Sequence, residues 1–369
     1  MNYRELCIGI NMISGLGYLR YKALCEAFGS PDAIRAAERG ELQKIPGIGQ
    51  IIAERIVEFD WDAELSKELA IADRGNVRIT TLADDDYPEC LRELSDPPLA
   101  LYIRGKLPKD FDRSVAIVGS RRVSNYGERM AVLMAEGAAA NGFTVVSGLA
   151  HGIDTIAHSS VVKLMGRTIG VLGGGLLHMY PKENIPLARE IINCGGAIIS
   201  EFPLNFPISR HNFPRRNRIV AALSRGVLVV EAGIESGAMI TARLALEMGK
   251  DVFAVPGRVD NFQAKGCHKL IKEGAALVED FGDVCLALSP DWIPGIGQRP
   301  KEDDEGNPIL PPDCLQVYKI LKNGEADLEE LQEATGMDTG VLLAVLMQLE
   351  IKLMVERDSE HYYHLTEIH

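Results

Sequence analysis

Seven short, mostly apolar runs alternate with helix-length segments through the middle of this chain. They occupy residues 114–118, 143–146, 168–172, 197–200, 226–230, 251–255 and 275–278. Near-continuous apolar runs are typical of strands that are covered on both faces of a sheet. Helix-length spacers between such strands indicate βαβ units. The sequence therefore predicts an α/β fold with a Rossmann-like, doubly wound and mostly parallel sheet over residues 76–288.

The N-terminal region, residues 1–75, is predicted to be helical, with short amphipathic stretches separated by Gly and Pro. Within residues 42–57, two helical stretches flank the tight turn Gly47-Ile48-Gly49. Glycines permit the turn and leave backbone amides open to an anion. The segment resembles a helix-hairpin-helix motif, which predicts a helix-hairpin-helix or SAM-like domain. Such a hairpin either contacts DNA or serves only for packing. No internal repeat is evident.

The C-terminal region divides into a linker and a small domain. Residues 289–312 are rich in Pro, Gly and charge without a period, which is typical of a linker. Residues 313–369 predict helices at 314–321, 328–334 and 338–349 and then a hairpin, which is the order of a winged-helix domain. Between Lys322 and Lys352 there is no Lys or Arg, but there are many carboxylates. Since phosphate would be repelled there, we expect this domain to contact protein rather than DNA.

Composition limits the classes of function that are open to the chain. The formal net charge of −13 argues against nucleic-acid binding over the whole surface. No run of about 18 apolar residues is present, so we expect a cytoplasmic protein without a membrane segment. Seven scattered cysteines without a C-x-x-C pair predict free thiols and no structural zinc. His151 and His158 lack partners at ligand spacing, so we expect surface or packing roles for them and no metal.

One stretch runs against the acidic balance of the chain. From Phe202 to Val230 there is no acidic residue. The stretch carries five arginines, with Phe206 and Phe213 among them; the arginines are Arg210, Arg215, Arg216, Arg218 and Arg225. Cations for the phosphates and an aromatic ring for a base are the requirements of single-stranded nucleic acid binding. The alternative is a packed Phe213 with arginines that are solvated or paired with carboxylates.

The ends of the predicted strands are the next place to look, since ligands of open parallel sheets bind beyond the carboxyl ends. Gly119-Ser120-Arg121 follows the first strand and suits a close phosphate contact. Ser236-Gly237 begins a predicted helix and offers a second anion pocket. The turns at 147–154 and 173–175 do not reproduce G-x-G-x-x-G with a following acid, so a dinucleotide cofactor is not predicted.

In this order, these segments resemble the DNA-processing protein A family, also called DprA or Smf. The resemblance covers about residues 76–280. Its motifs are GSR at 119–121, SGLAHGID-x-x-AH at 147–158, VLGGG…YPKEN at 171–184, SEFP at 200–203, FPRRNRIVAALS at 213–224, VVEA…SGAMITA at 229–242 and VFAVPG…KGCHKLIKEGA at 252–275.

The resemblance implies a single-stranded-DNA-binding recombination mediator with no catalytic residues and no cofactor. Members of the family protect incoming DNA, load the RecA recombinase during natural transformation in competent cells, and form dimers. The implied nucleic-acid-binding residues are Gly119, Ser120, Arg121, Lys182, Arg210, Phe213, Arg216, Asn217, Ser236 and Gly237. Of these, Phe213 would stack on a base, and Arg216 and Asn217 would shape the pocket floor.

Two other functions stay open on the sequence alone. The sheet with glycine turns is also similar to the lysine-decarboxylase-like nucleotide phosphoribohydrolases. Their P-G-G-x-G-T-x-x-E segment is not reproduced near Glu231–Ala245, which leaves Glu201 and Glu231 as the candidate acids or bases. The second alternative is an interaction scaffold whose arginines dock an acidic partner.

Overall fold

The computed structural model of the chain describes residues 1–288, 310–351, 354–358 and 362–365. These residues form two compact units. The first comprises Met1–Ala139 and Phe143–Val284, and the second comprises the described residues of Ala140–Gly142 and Cys285–His369. All the strand-end turns that the sequence singles out belong to the first unit.

The N-terminal region is helical, as predicted. Its helices are α1 (Tyr3–Met12), α2 (Tyr18–Phe28), α3 (Pro31–Ala36), α4 (Arg39–Leu42), α5 (Gln50–Glu58) and α6 (Trp61–Arg74). Polar side chains cap the starts of α1, α3 and α6; for example, the Asn2 side chain accepts the amide of Glu5 at 2.8 Å. The apolar faces of these helices form one hydrophobic cluster with sheet residues that include Tyr102 and Ile198. The predicted boundary at residue 75 falls just after α6.

The expectation of no internal repeat is wrong for this region, because the glycine hairpin occurs twice. Gly15 before α2 and Gly47 before α5 both have positive φ angles, of 92° and 81°. An arginine from the helix after each hairpin donates a hydrogen bond to a backbone carbonyl of the other hairpin. Arg20 Nε of α2 donates to the Gly47 carbonyl at 2.7 Å, and Arg55 Nη1 of α5 donates to the Ser14 carbonyl at 2.8 Å. The two hairpins therefore lie side by side.

The central sheet has nine strands in the described residues, in the order β1-β2-β6-β5-β4-β3-β7-β8-β9. They are β1 (Arg78–Thr81), β2 (Ala100–Gly105), β3 (Ser114–Val118), β4 (Thr144–Ser147), β5 (Thr168–Val171), β6 (Ala197–Ser200), β7 (Gly226–Val229), β8 (Asp251–Ala254) and β9 (Ala276–Leu277). The strands from β3 to β9 pair in parallel, and β1 and β2 add an antiparallel edge next to β6. The predicted mostly parallel sheet is confirmed, and β1 and β2 were not predicted.

The helices of this region connect the strands. They are α7 (Glu89–Arg92), α8 (Asn125–Ala140), α9 (Ile153–Lys163), α10 (Ile185–Asn193), α11 (Asn212–Ala222), α12 (Gly237–Glu247), α13 (Lys265–Lys272) and α14 (Phe281–Leu288). The strand order grows in one direction from β3 to β6 and in the other from β7 to β9. Because parallel crossovers are right-handed, α8 to α10 cover one face and α12 and α13 cover the other. The direction changes between β3 and β7, which is the topological switch point.

The second unit contains three helices and a two-stranded antiparallel sheet in its described part. The elements are α15 (Pro312–Leu321), α16 (Leu328–Thr335), α17 (Thr339–Ile351), β10 (Val355–Arg357) and β11 (Tyr363–Leu365). Leu331, Leu342 and Leu346 are buried among their core residues. The three helices lie at the predicted segments, and winged helix remains our interpretation of this order. The predicted linker, 289–312, lies outside the described residues except for its last three positions.

Candidate functional site

A pocket of about 520 Å³ opens at the switch point, beyond the carboxyl ends of β3, β4 and β7. Its walls come from the turn after β3, the turn after β4, the start of α11 and the start of α12. Eight of the ten predicted binding residues line it: Gly119, Ser120, Arg121, Phe213, Arg216, Asn217, Ser236 and Gly237. The residues at the strand ends and two residues of the arginine-rich stretch, Phe213 and Arg216, therefore line one pocket.

The turn after β3 is held by its neighbours. The amide of Ser120 donates to the carbonyl of Glu231 at 2.5 Å, and the amide of Arg122 donates to the Ser120 hydroxyl at 3.0 Å. The same hydroxyl bonds the side chain of Gln263. A side chain at Gly119 would overlap Ile153, so the backbone of the turn packs directly on α9. The turn therefore presents a fixed backbone, and the Ser120 hydroxyl already has partners.

Glu231, which follows β7, holds the turn after β3 through hydrogen bonds of its side chain. Its side chain accepts hydrogen bonds from the amide and hydroxyl of Ser124 at 3.0 and 2.8 Å and from Asn261 Nδ2 at 3.0 Å. The residue is only 2% exposed. Its carboxylate therefore joins the turn after β3 to the loop after β8.

Arg121 and Phe213 lie against each other at the pocket wall. The guanidinium carbon of Arg121 is 5.2 Å from the ring centroid of Phe213, which is cation–π distance. The ring also packs on Gly173, where a Cβ would lie 2.9 Å from its Cδ1 atom. Arg121 is exposed and Phe213 is half-buried. A base that stacks on Phe213 would therefore also meet the guanidinium of Arg121.

Arg216 is a buried cation in the pocket floor. It is 4% exposed, and its Nη1 donates to the carbonyl of Val171 at 2.6 Å. A Cβ at Gly148 would overlap both terminal nitrogens, so the guanidinium fits only against a glycine. Burial lowers the pKa of Arg216 to about 10; the nearby carboxylate of Asp154 opposes this and the charge of Arg121 adds to it. Its Nε has no hydrogen-bond partner among the described residues.

Asp154 is the carboxylate that accompanies Arg216. One of its oxygens accepts the amides of Gly148 and Ala150 at 3.1 and 3.3 Å. Burial raises its pKa, and the charge of Arg216 acts against this rise. The two side chains form a partly compensated pair under the turn after β4. Asp154 and Gly148 were not predicted as site residues, although they follow a strand end just as Gly119 does.

The start of α12 forms another wall. Asn217 Nδ2 donates to the carbonyl of Gly237 at 3.2 Å, which ties α11 to α12. The Ser236 hydroxyl oxygen is buried, and no residue that the structure describes forms a hydrogen bond with it. A Cβ at Gly237 would have open space around it. Because the first amides of a helix lack partners within the helix, this wall can receive an anion.

The five arginines of the acid-free stretch do not form one patch. Glu201 is 1% exposed and pairs with Arg215 at 3.0 Å and with Arg218 at 2.5 Å. Burial raises the pKa of Glu201, and Arg218 and Arg215 oppose this rise. Arg225 precedes β7 and therefore lies at the opposite end of the sheet from the pocket. The interpretation of the stretch as a single electropositive patch is thus wrong, and only Arg216 of the five lines the pocket.

Two predicted residues lie outside the pocket lining. Arg210 is exposed in the turn before α11, and Lys182 is exposed in a single 3-10 turn before α10. The structure does not bring either of them into the pocket.

Besides Gly148 and Asp154, the lining residues that the sequence did not indicate include Arg122, Phe262 and Gln263. Arg122 directly follows the predicted GSR turn. The other two lie in a loop well past the end of β8, where no periodic pattern marks them.

His158 is fully buried, and its Nδ1 lies 2.7 Å from the Thr168 hydroxyl. Within the described ranges, no three His, Cys, Asp or Glu side chains cluster closely enough to hold a metal ion. Among the helices that the structure describes, none has the length and apolar character needed to cross a membrane.

Comparison with known proteins gives consistent matches. The family model for DNA recombination-mediator protein A matches residues 78–289, and a SAM-like helix-hairpin-helix tandem matches residues 9–59. Protein Smf of Escherichia coli (strain K12) is 37% identical over 308 residues, which cover 81% of this chain and 80% of that protein. The tandem match agrees with the two hairpins of the structure.

Solved structures give the same result. The X-ray structure of DNA processing protein A from Streptococcus pneumoniae has a TM-score of 0.64 at 35% identity, covering 77% of this chain and 96% of that one. A Helicobacter pylori DNA processing protein A, described for its single-stranded DNA binding mode, has a TM-score of 0.52 at 32% identity, covering 58% and 98%. The sequence and the fold of this chain are therefore similar to those of the same group of proteins.

Proposed function

Since this chain belongs to the DNA recombination-mediator protein A family, we propose that it binds single-stranded DNA in the switch-point pocket. A recombination-mediator role follows from the family. The finer proposal is that it protects an incoming strand and helps to load RecA on it during natural transformation, acting in the cytoplasm as a homodimer. The solved relative described for its single-stranded DNA binding mode supports the choice of ligand.

One observation carries the proposal: cations, an aromatic ring and a helix N-terminus meet in one pocket. Arg121 and Arg216 supply guanidinium groups, Phe213 supplies the ring, and Ser236-Gly237 begins α12 at the same wall. Phosphate contacts and base stacking are the two components of single-strand binding without sequence preference. A nucleotide unit presents both a phosphate and a flat base, so the pocket suits its chemistry.

The roles of the residues follow from their geometry. The guanidinium of Arg121 would hold one phosphate against the turn at Gly119-Ser120, because the turn is fixed and Arg121 is exposed. Arg216 and Asn217 would form the floor, where the buried charge of Arg216 attracts the backbone. The amides at Gly237 would receive a second phosphate.

Arg210 and Lys182 would act outside the pocket. Both side chains are exposed, Arg210 just before α11 and Lys182 just before α10. Since a single strand is longer than the pocket, these cations would hold its phosphates beyond the pocket. The four cations would give a salt slope of about −3, at about 0.7 for each single-strand phosphate.

The second unit supports a different role. No Lys or Arg lies between Lys322 and the end of α17, and Glu329 and Glu333 are exposed on α16. We therefore propose that this unit contacts protein and leaves DNA to the pocket.

No observation favours the alternative of a nucleotide-cleaving enzyme. Glu201 is engaged by Arg215 and Arg218, and Glu231 is engaged by Ser124 and Asn261. A general acid or base needs an oxygen within reach of the substrate. We propose that the protein binds DNA without chemistry, and release of free base from a nucleoside monophosphate by the purified protein would contradict this.

The deciding experiment is titration of the protein with single- and double-stranded oligonucleotides over a salt series. We expect tighter binding of the single strand, with affinity that falls as salt rises. Equal affinity for both forms, or no binding at low salt, would refute the proposal.

Four variants then test the site. Arg121→Ala and Arg210→Ala should weaken binding and reduce the salt slope by about 0.7 each. Phe213→Ala should weaken it by about 1–3 kcal/mol with the slope unchanged. Arg225→Ala removes an exposed arginine at the opposite end of the sheet and serves as the matched control. If the three site variants bind like the unaltered protein, the site assignment is wrong.

A further inference from the structure

We propose that Phe262 is a second stacking platform, which binds a different base of the same single strand from the one at Phe213. The inference rests on the proposed function and adds a base-stacking residue to that site. Phe262 lines the same pocket and is 74% exposed. Its contact with the backbone at Gly233 leaves most of the ring open to a ligand.

The loop that carries Phe262 is held in place at both of its edges. The Asn261 side chain accepts the amide of Gln263 at 2.9 Å and donates to Glu231 at 3.0 Å. The Gln263 side chain bonds the Ser120 hydroxyl, in the turn that follows β3. The ring of Phe262 lies against the backbone at Gly233, where an added Cβ would lie 3.4 Å from the Cε1 atom of the ring. The position of Phe262 is therefore fixed before any ligand binds, which lowers the entropy cost of stacking.

Phe262 and Phe213 stand on different sides of the switch point. Phe213 packs on Gly173, which follows β5, and Phe262 packs beside Gly233, which follows β7. In the sheet, β4 and β3 lie between these two strands. Three interstrand spacings of about 4.8 Å separate the two turns by about 14 Å. One base cannot stack on both rings, so each ring would take its own base.

Phe262 is also the more accessible of the two rings. The half-buried ring of Phe213 contacts Arg121 and Gly173, whereas Phe262 lies beside the backbone at Gly233 and is 74% exposed. Arg122 lines the same pocket and offers a cation for the adjoining phosphate. An aromatic ring and an arginine in the walls of one pocket suit a nucleotide better than an apolar protein surface.

The matched control is Val259, which is 76% exposed in the same loop but does not line the pocket. The variants are Phe262→Ala, Phe262→Trp and Val259→Ala, titrated with an oligothymidylate and with the same oligonucleotide made fully abasic. We expect Phe262→Ala to weaken oligothymidylate binding on the order of tenfold, the scale of one lost stacking contact. The salt slope should not change, because no charge is removed.

Phe262→Trp should retain the affinity, and its added tryptophan fluorescence should be quenched by the oligothymidylate. Neither Phe262→Ala nor Val259→Ala should alter binding of the abasic strand.

The outcomes separate this inference from the proposed function. Absence of single-strand binding by the unaltered protein would remove the proposed function itself. If the unaltered protein binds but Phe262→Ala binds equally well, or if the added tryptophan is not quenched, the inference fails and the proposed function stands. Equal losses in Phe262→Ala and Val259→Ala would indicate a general apolar surface and would overturn the inference as well.

Discussion

Replacing Gly148 by Ala should displace the Arg216 side chain from the pocket floor, although no charged residue is replaced. The added Cβ would overlap both terminal nitrogens of Arg216, which is 4% exposed and has little room to move. The guanidinium would have to shift and release the carbonyl of Val171, which it bonds at 2.6 Å. A hydrogen bond to a charged group contributes about 1.5–3 kcal/mol. We expect the free energy of unfolding to fall by about that amount.

Affinity for single-stranded DNA should fall with it, on the order of tenfold or more, because the displaced cation no longer faces the pocket. Urea unfolding and oligonucleotide titration measure the two effects separately. Gly40→Ala is the control, since it adds the same methyl group to open space in α4, with no positive φ. It should leave the affinity unchanged and should raise the free energy of unfolding slightly, by about 0.4–1 kcal/mol, because alanine favours the helix.

A double-mutant cycle makes the test sharper. In an Arg216→Ala background the group that the new methyl displaces is absent, so Gly148→Ala should cost much less there. Additive effects of the two substitutions, or a Gly148→Ala protein with full stability and affinity, would refute the argument that Arg216 depends on this glycine.

Three further predictions concern titratable side chains, two of them buried and one pair exposed. Burial lowers the pKa of His158 from 6.5 to about 3, so the unfolded chain binds the proton first as pH falls. The free energy of unfolding, measured in urea, should therefore fall by about 2–3 kcal/mol between pH 7.5 and 4.5. A His158→Gln protein should lose that part of the pH dependence. Glu201→Gln should lower the free energy of unfolding by about 3 kcal/mol, because two arginines lose their buried partner; an unchanged urea midpoint would contradict this. Replacing Glu329 and Glu333 by Gln should leave single-strand affinity within about twofold, and a large gain in a titration would place α16 near the DNA.

Most of the sheet could be predicted because its strands are buried on both faces. The runs that became β3 to β9 are short and apolar, and helix-length spacers separate them. The antiparallel edge was missed for a physical reason. β1 has the polar sequence Arg-Ile-Thr-Thr with one aliphatic residue, Ile79, and the apolar part of β2 ends after Ile103. Apolar runs of this length do not distinguish a strand from a helix turn.

The site could be predicted where position along a strand decides it. Gly119 and Ser236 follow parallel strands, and parallel strands carry their ends to one edge of the sheet. Phe262 lies in a loop whose course depends on hydrogen bonds to Ser120 and Glu231 through its neighbours. Such contacts between distant parts of the chain leave no local pattern, so the sequence could not indicate this residue.

Counting charge along the chain was the wrong measure of how an acidic protein would hold a polyanion. The formal net charge is −13, and Glu201 neutralises two of the five arginines in the acid-free stretch. The charge that matters for binding is local. Arg216 is buried and has a lowered pKa, and it lies near Asp154, whose pKa is raised. Neither charge of this pair is well solvated, and charges act more strongly in such surroundings than in water. A phosphate would give Arg216 a second partner, so a few placed cations can outweigh the average charge of the molecule.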